Sequence, residues 1–202
     1  MNPRNIYNTH RKDSMKKETI YKIFSNIPTL HTERLTLRAL RALDAEDMYE
    51  YAKDPEVTKY LLWSEHKSLA FTREYLEYIE SRYALGDFYD WAIVLSDTGK
   101  MIGTCGFTKI DTVNHSAEIG YVLNPAYHRM GIAPEAAAEV MRFGFEELSL
   151  HRIEARFMAG NDASRTVMER LGMSFEGFER DSVFVKGGYA TVGKYAKLAS
   201  DK

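Results

Sequence analysis

Apolar and polar residues change their spacing along the chain in a way that marks strands and helices. Leu35, Leu37 and Ala39 alternate with polar neighbours, which is typical of a half-buried strand. The same reasoning predicts about seven strands, near residues 34–39, 91–96, 101–110, 115–123, 152–158, 175–185 and 189–198. Helical spacing and end signals predict four helices, over residues 44–54, 68–85, 134–148 and 163–171.

The order of these elements indicates the fold class. Helices and strands are interspersed without a strict strand–helix–strand repeat, so an α/β (α+β) fold is favoured. We expect a mixed, mostly antiparallel central sheet of about seven strands with helices on both faces. Between the first two helices an apolar cluster must be buried or line a pocket; it consists of Tyr60, Leu61, Leu62 and Trp63.

Charge divides the chain into two parts. The chain has 202 residues, with 27 Lys plus Arg and 29 Asp plus Glu, and this net charge of −2 argues against a duplex-DNA binder. Residues 1–28 hold six basic and two acidic residues, whereas the rest holds 21 basic and 27 acidic ones. We predict a basic, flexible N-terminal extension over residues 1–28, in which residues 20–27 could form a short helix. One domain then covers residues 29–202.

Composition excludes several classes of protein. The single cysteine, Cys105, allows no intrachain disulfide, and its place in the middle of a strand predicts a buried, inert thiol. No apolar run approaches the roughly 18 residues of a membrane span, and residues 1–17 lack the apolar core of a signal peptide. The histidines show no metal-ligand spacing. We therefore expect a cytoplasmic protein that binds neither DNA nor a membrane nor a metal.

The segment before the third predicted helix is the strongest candidate for a binding site. It reads His128-Arg129-Met130-Gly131-Ile132-Ala133-Pro134-Glu135. Gly131 allows backbone conformations closed to other residues, and Pro134 suits the first position of a helix. Free N–H groups of the loop and first turn, with the helix dipole behind them, would form an anion site suited to a pyrophosphate. The alternative is an ordinary tight connection. Neither a P-loop nor a dinucleotide-binding glycine motif occurs.

Several short motifs occur in the order and spacing of a known family. They are Thr32-Glu33-Arg34-Leu35-Thr36-Leu37-Arg38, Ala117-Glu118-Ile119-Gly120-Tyr121-Val122-Leu123, the loop over His128–Ala133, Asn161-Asp162-Ala163-Ser164-Arg165, Leu171-Gly172-Met173 and Tyr195-Ala196. From about Leu30 to Leu198 the chain resembles the GNAT superfamily of acetyl-CoA-dependent N-acetyltransferases, and within it the ribosomal-protein N-terminal acetyltransferase (Rim-like) branch. The resemblance implies acetyl-CoA as co-substrate and transfer of its acetyl group to a primary amine.

The resemblance also assigns residues to acetyl-CoA. In this fold the strand before the pyrophosphate loop separates from its neighbour, and the pantetheine arm lies in the gap. Main-chain groups of Tyr121, Val122 and Leu123 would hold the arm, and Asn161 and Arg165 would lie near the pantetheine and phosphate groups. The diphosphate would be bound by the amides of Arg129, Met130, Gly131, Ile132 and Ala133, beside His128, which stands where the family usually has Gln or Arg.

Two proton-transfer roles follow from the resemblance. Glu118 is the candidate general base, acting through a water molecule, and Ser164 is the candidate donor to the departing thiolate. Met168 stands where many members carry a tyrosine acid, and Val183 about where some Rim-like relatives carry a glutamate. From the residues alone, Glu118 could equally be a salt-bridged strand residue and Ser164 a helix cap.

The acceptor amine is less closely defined. An α-amine, with a pKa of about 7.7–8.0, is partly neutral near pH 7.4, whereas a lysine at about 10.4 is almost wholly charged. Modest base machinery therefore favours a protein N-terminus, and the negative domain suits a positively charged acceptor. The aromatic residues proposed to line the acceptor cleft, each with plain core packing as the alternative, are Tyr60, Trp63, Tyr89, Trp91 and Phe107.

Two other functions stay open from the sequence. The enzyme could acetylate a small amine such as an aminoglycoside or a polyamine. The chain could also be a catalytically silent acyl-CoA-binding module, because Met168 and Val183 replace residues that serve as acid and base in relatives. A second copy of the chain, in a homodimer, is a candidate partner besides acetyl-CoA and the acceptor.

Overall fold

Eight strands form one sheet in the computed structural model, which describes residues 16–201. In chain order they are β1 (Leu30–His31), β2 (Leu35–Arg38), β3 (Tyr89–Leu95), β4 (Met101–Asp111), β5 (Ser116–Leu123), β6 (Arg152–Met158), β7 (Ser174–Val185) and β8 (Gly188–Leu198). The order across the sheet is β1-β2-β3-β4-β5-β6-β8-β7, and every neighbouring pair is antiparallel except β5 and β6. The predicted mixed, mostly antiparallel sheet is confirmed. The added strand, β1, is too short for an alternating pattern to reveal it.

The described residues form six α-helices: α1 (Lys17–Phe24), α2 (Ala45–Ala52), α3 (Pro55–Thr58), α4 (Leu69–Leu85), α5 (Ile132–Glu146) and α6 (Asp162–Arg170). The helix predicted over residues 44–54 is shorter, and Pro55 does not simply end it. A 3-10 turn over Ala42–Asp44 leads into α2, and Pro55 begins α3, where the Asp54 side chain accepts the N–H of Glu56 at 2.9 Å. Proline suits this first helical position because it has no N–H to leave unpaired.

Alternate residues of β3 pack into two different cores on opposite faces of the sheet. Trp91 and Ile93 lie in a core with residues of α1, α5 and α6. Ala92 and Val94 lie in a second core with residues of α2 and α4. Helices therefore cover both faces, as expected, and the period of two along β3 decides which face each side chain joins.

The N-terminal extension predicted to be flexible is structured from residue 17 onward, because α1 packs on the sheet. Ile20 and Phe24 are fully buried, and the Phe24 and Trp91 rings lie 5.6 Å apart. The end of α4 permits this approach, since a Cβ on Gly86 would lie only 2.0 Å from the carbonyl oxygen of Tyr21. The change of charge at residue 28 is thus not a packing boundary. Residues 1–15 of the predicted extension lie outside the described range.

The single cysteine behaves as the sequence predicts. Cys105 is fully buried in β4, and burial raises the pKa of its thiol well above the usual value. The thiol is therefore protonated and inert at neutral pH. Across residues 16–201, no helix is both long and apolar enough to cross a bilayer. In the same range, no group of three or more His, Cys, Asp or Glu side chains is arranged to hold a metal ion.

Candidate active site

β5 and β6 separate along their length and leave a cleft between them. Their parallel pairing ends at Glu118 opposite Glu154, although β5 continues beside β4 as far as Leu123. The main-chain groups on this edge of β5, from Ile119 onward, therefore have no strand partner within the described residues. The cleft has a volume of about 1230 Å³ and is bounded by β3 to β6, α6 and the segment that leads into α5.

The loop between β5 and α5 enters the left-handed region of backbone conformation twice. The φ angle is 64° at Arg129 and 77° at Gly131, a region that favours glycine. Helix α5 begins at Ile132, two residues before the predicted start at Pro134. The N–H groups of the first helical turn have no partner within the helix, so proline is tolerated at the third position, where Pro134 lies, as well as at the first. The sequence alone does not distinguish these two positions.

This loop presents unpaired amides to the cleft. Gly131, Ile132 and Ala133 line the cleft, and their N–H groups precede the first hydrogen bond of α5, from Glu135 N–H to Gly131 C=O at 3.2 Å. Successive amides in such alternating conformations form a concave nest that suits an anion. The positive end of the α5 dipole lies at the same place. The loop therefore has the geometry of an anion-binding site at a helix N-terminus.

An ion pair holds this loop in position. Arg34 donates to a carboxylate oxygen of Glu135 through Nε at 2.8 Å and Nη2 at 2.5 Å, and its Nη1 donates to the Met130 carbonyl at 3.0 Å. The Thr32 hydroxyl donates to the other Glu135 oxygen at 2.5 Å. Burial alone would raise the pKa of Glu135, but the hydrogen bonds from Thr32 and Arg34 hold it below its usual value. Sequence reasoning missed this role of the motif near Arg34, because its partner lies about 100 residues away.

His128 ties the loop to the end of β5. Its Nε2 lies 3.0 Å from the carbonyl oxygen of Leu123, to which a protonated Nε2 donates. The ring is thus directed back to the strand, although the residue also lines the cleft. The Leu123 carbonyl, expected to be available to the pantetheine arm, already accepts this bond. The His128 side chain therefore positions the loop and is not directed outward as a charge for the diphosphate.

Ser164 contacts Tyr121 at one side of the cleft. The two hydroxyl oxygens are 3.1 Å apart, and the Tyr121 hydroxyl donates to the Ser164 carbonyl at 3.0 Å. The capping role considered for Ser164 belongs to Asn161, whose side-chain oxygen accepts the Ser164 N–H at 3.2 Å. Burial raises the pKa of the Tyr121 phenol, so this hydroxyl stays protonated at neutral pH. The tyrosine half of this hydroxyl pair was not predicted, because only its main chain was assigned a role.

Glu118 lies at the other side of β5 and is ion-paired. Its carboxylate is 2.9 Å from Nη2 of Arg156 on β6. The salt-bridged state considered for this residue is therefore present. Along β5, Tyr121 packs against the core beneath α5, whereas Val122 packs against the core of α2 and α4. Because side chains alternate, Glu118 shares the α2–α4 face with Val122, opposite the face that carries the Tyr121–Ser164 pair.

Most predicted acetyl-CoA residues line the cleft: Tyr121, Val122, Leu123, His128, Arg129, Gly131, Ile132, Ala133 and Asn161. Met130 and Arg165 are the exceptions. The Met130 side chain is 55% exposed, and Arg165 forms an ion pair with Asp162 at 3.1 Å. Since successive residues of a helix point about 100° apart, the inward position of Ser164 on α6 directs Arg165 away from the cleft.

The aromatic residues proposed for the acceptor cleft divide into two groups. Those that line the cleft are Tyr60, Tyr89 and Phe107. Trp91 does not, because it is fully buried in the core and its indole N–H donates to the Pro28 carbonyl at 2.7 Å. Trp63 lies beside the cleft and packs against His66, with ring centroids 5.3 Å apart. Sequence alone could not separate these cases, since burial of an aromatic ring depends on which face it joins.

Separated strands that lead into an amide-rich loop before a helix are the features that the resemblance to acetyl-CoA-dependent transferases implies. The family model for the acetyltransferase (GNAT) domain matches residues 34–174. The chain belongs to the GNAT acetyltransferase family and is an acetyl-CoA-dependent N-acetyltransferase. These matches to enzymes favour catalysis over the silent acyl-CoA-binding module.

Individual relatives differ in the acceptors that their names give. The uncharacterized N-acetyltransferase p20 of Bacillus licheniformis is 36% identical over 170 residues, 84% of this chain and 96% of that protein. The putative ribosomal N-acetyltransferase YdaF of Bacillus subtilis is 31% identical over 168 residues, 82% and 92% of the two chains. Spermidine N(1)-acetyltransferase of Escherichia coli is 26% identical over 172 residues, 81% and 84%. A GNAT-family acetyltransferase structure from Bacillus anthracis aligns with a TM-score of 0.77 at 30% identity, covering 86% of this chain and 100% of that one.

Proposed function

We propose that this N-acetyltransferase transfers the acetyl group to the N-terminal α-amine of a protein, with ribosomal proteins as the first candidates. The observation that carries the proposal is the distribution of charge along the cleft. Among the described residues that line it between positions 54 and 90, four are acidic and none is Lys or Arg: the acids are Asp54, Glu56, Asp87 and Asp90. Arg82 pairs with Asp87 at 2.5 Å and Lys59 with Glu56 at 3.7 Å, so Asp54 and Asp90 are the two of these four that form no ion pair with a described residue. An acidic end of this kind favours a cationic amine over a neutral or anionic acceptor.

The size of the cleft supports a peptide acceptor. Its volume of about 1230 Å³ exceeds the roughly 300–1,000 Å³ of ordinary small-molecule pockets, so it has room for a pantetheine arm and a chain terminus together. The relative YdaF, named as a putative ribosomal N-acetyltransferase, is in line with this class of acceptor. The tip of the β7–β8 hairpin contacts α3, since Lys186 Nζ donates to the Thr58 carbonyl at 2.6 Å.

The binding of acetyl-CoA follows from the two main-chain features of the cleft. The nest around Gly131 would take the diphosphate, and the unpaired edge of β5 from Ile119 to Leu123 would hydrogen-bond the pantetheine amides. The thioester would then lie in the cleft at the level of the sheet. The Tyr121–Ser164 pair would be on its α5 side, and the acidic acceptor end would be on its α2–α4 side.

The chemistry is a direct attack of the amine nitrogen on the thioester carbonyl carbon. Two substrates bound in one cleft gain most of their rate from proximity and orientation. A free N–H on the β5 edge can stabilise the negative oxygen that develops on the carbonyl. Ser164 is the candidate donor of a proton to the departing sulfur, and its hydroxyl lies 3.1 Å from that of Tyr121. Glu118 stays the proton acceptor proposed from the sequence, although its ion pair with Arg156 competes with that role.

A thiol-release assay with a panel of amines tests the acceptor class. The panel contains two peptides and two small amines. The first peptide has a free α-amine, and the second has a blocked N-terminus and an internal lysine as its only amine. The small amines are spermidine and an aminoglycoside. We expect turnover with the first peptide and at least tenfold less with the blocked one, because far less of a lysine amine is neutral at pH 7.4. Equal turnover of both peptides, or turnover of the small amines alone, would overturn the proposal. Mass spectrometry of ribosomal proteins from cells with and without the gene would identify the physiological target.

A small polyamine is the second candidate acceptor. The acidic residues at the α2–α4 end of the cleft also suit a polycation, and one relative of this chain is named as a spermidine acetyltransferase. Its lower identity, 26% against 31% for YdaF, places it second. Saturable turnover of spermidine without turnover of the peptide would support this candidate.

A further inference from the structure

A partly buried carboxyl that the mechanism above does not use lies at the acidic end of the cleft. Asp90 is on β3 and lines the cleft. It is opposite Gly106 of β4, and Gly106 is opposite Gly120 of β5. The three positions therefore form one row across the sheet, and by alternation with Ala92 the Asp90 side chain lies on the α2–α4 face.

The two glycines leave the carboxyl open towards β5. A Cβ on Gly106 would lie 2.7 Å from Oδ1 of Asp90 and 2.3 Å from the carbonyl oxygen of Tyr89. Any side chain at this position would therefore displace the carboxyl. Two strand spacings, about 10 Å, separate the Asp90 and Gly120 main chains. The β4 side chains beside this row are the small polar ones of Thr104, which hydrogen-bonds to Asp90, and of Thr108, whose methyl lies 2.9 Å from a Cβ built on Gly120.

No cation neutralises this carboxyl within the described residues, where no Lys, Arg or His forms an ion pair with Asp90. Its Oδ1 accepts the N–H of Trp91 at 3.1 Å, and the Tyr83 hydroxyl donates to its main-chain carbonyl at 2.6 Å. A carboxylate removed from water without a cation is costly, so such a group takes up either a proton or a cationic partner.

The titratable groups that face Asp90 are neutral near pH 7. They are Tyr51 on α2 and Tyr75 and Tyr83 on α4. Burial raises the pKa of each, to about 12 for Tyr75, so all three keep their protons. Burial also raises the pKa of the Asp90 carboxyl to about 7, against smaller opposing effects of Thr104 and the Trp91 amide. Asp90 is therefore the group in this cluster that changes charge near neutral pH.

We propose that Asp90 binds the ammonium group of the acceptor and takes one proton from it. This proposal rests on the N-acetyltransferase function and deepens it by assigning the group that receives the amine. The Asp90 carboxylate accepts a proton from R–NH₃⁺, directly or through one water, and leaves R–NH₂. The nitrogen lone pair forms a bond to the thioester carbonyl carbon, and the carbon–sulfur bond breaks with its electrons on sulfur. The second nitrogen proton reaches that thiolate through Ser164, and Asp90 returns its proton to solvent after product release.

Asp90 suits this role better than Glu118. Both carboxyls lie on the α2–α4 face, but Glu118 is already paired with Arg156 at 2.9 Å. A carboxylate held by a guanidinium is less free to bind an ammonium group or to accept its proton, whereas Asp90 has no such partner among the described residues. The site thus keeps one unpaired acid for the amine and one paired acid in the wall of the cleft.

The test compares Asp90→Asn with Glu118→Gln and with Asp97→Asn. Asp97 lies in the exposed β3–β4 turn, so its change removes one negative charge from the same hairpin outside the cleft. The amine is whichever probe the wild-type enzyme acetylates, a tetrapeptide with a free α-amine or spermidine. A wrong choice of acceptor class therefore does not decide the role of Asp90. Calorimetry with CoA confirms that each variant is folded and binds the co-substrate.

For the wild-type enzyme we expect an acid limb in kcat/KM with a midpoint near pH 7. In Asp90→Asn we expect kcat/KM to fall about 100-fold at pH 8 with CoA affinity unchanged, and the midpoint of the limb to move up to the pKa of the amine itself, because only the neutral amine then reacts. Asp97→Asn should keep both the rate and the midpoint of the wild type. A shift of the midpoint in Glu118→Gln but not in Asp90→Asn would overturn the proposal, as would an unchanged rate in Asp90→Asn.

A second measurement tests the role of Asp90 even if the enzyme turns over neither probe. Carbon-13 NMR of the Asp90 carboxyl in the wild-type protein with bound CoA gives its pKa with and without each amine. We expect an amine that binds to lower this pKa by at least one unit, because its ammonium favours the carboxylate. An Asp90 signal that titrates identically with and without saturating tetrapeptide and spermidine would refute the proposal.

Discussion

The two ends of the cleft offer different chemical groups to a ligand. At the α5 end these groups are main-chain amides around Gly131, and the Arg34–Glu135 pair holds them in position. At the α2–α4 end they are acidic and aromatic side chains such as Asp90 and Tyr60. Every residue except proline has a main-chain amide N–H, so the binding capacity of the α5 end depends on the shape of the backbone. The binding capacity of the α2–α4 end depends on which side chains are present. The difference explains why the fold assigns the co-substrate, while only particular side chains indicate the acceptor.

The largest effect is expected from a change of shape at the α5 end. Gly131→Val places a β-branched residue at φ 77°, which costs about 1–2 kcal/mol and turns the neighbouring amides away. We expect the affinity for CoA in titration calorimetry to fall at least about 100-fold. Gly99→Val is the matched control, because Gly99 has φ 72° in a turn with nothing within 4 Å of an added Cβ. Equal CoA affinity in the two variants would contradict the loop assignment.

A change at the acceptor end is expected to act on stability as well as on turnover. Because the pKa of Asp90 is raised from 3.8 to about 7, the folded protein binds this proton more tightly than the unfolded chain, and stability is lost as pH rises through this window. The Asp90→Asn variant has no carboxyl at this position, so it does not lose unfolding free energy from this source. Between pH 5 and 7 we expect the wild type to lose about 1–2 kcal/mol more unfolding free energy than the variant in urea titrations. Parallel losses in both proteins would show that the carboxyl is not desolvated.

A smaller effect is expected when the support of the loop is removed and the loop itself is kept. Arg34→Met removes the bonds to Glu135 and to the Met130 carbonyl, so the amides lose their fixed position. We expect CoA to bind about tenfold more weakly, equivalent to about 1.4 kcal/mol. Arg142→Met is the control, because Arg142 pairs with Glu139 and Glu146 on the same helix. If both variants bind CoA like the wild type, the ion pair does not position the loop.

The smallest effect is expected from the proton donor. Ser164→Ala should lower kcat about threefold with unchanged CoA affinity, because a thiol with a pKa of about 8.5 leaves readily with little help. The hydroxyl of Tyr121, 3.1 Å away, remains as a partial substitute. Ser182→Ala, on exposed β7, is the control. A loss of CoA binding in Ser164→Ala with kcat intact would assign Ser164 to binding and remove it from proton transfer.

Local patterns were sufficient for most elements and insufficient wherever partners are distant in the chain. Alternation located the strands, and Gly86 and Gly172 marked the ends of α4 and α6, because these signals act over a few residues. The burial of Phe24 under the sheet left no local trace, since it depends on strands that begin more than 60 residues later. The placement of Trp91 in the core and of Tyr89 in the cleft has the same origin.

The sequence by itself determined the family, the strands and helices, and the loop that can receive a diphosphate. These depend on short-range properties: side-chain periodicity, the conformational freedom of Gly131 and the missing N–H of Pro134. Only the tertiary structure decided which carboxyl is paired and which is alone. Asp90 and Glu118 are equally acidic in sequence, but Arg156 lies beside Glu118, and glycines of two neighbouring strands leave Asp90 partly buried and open to the cleft. Desolvation and ion pairing are set by neighbours across the sheet, so they emerge only when the strands come together.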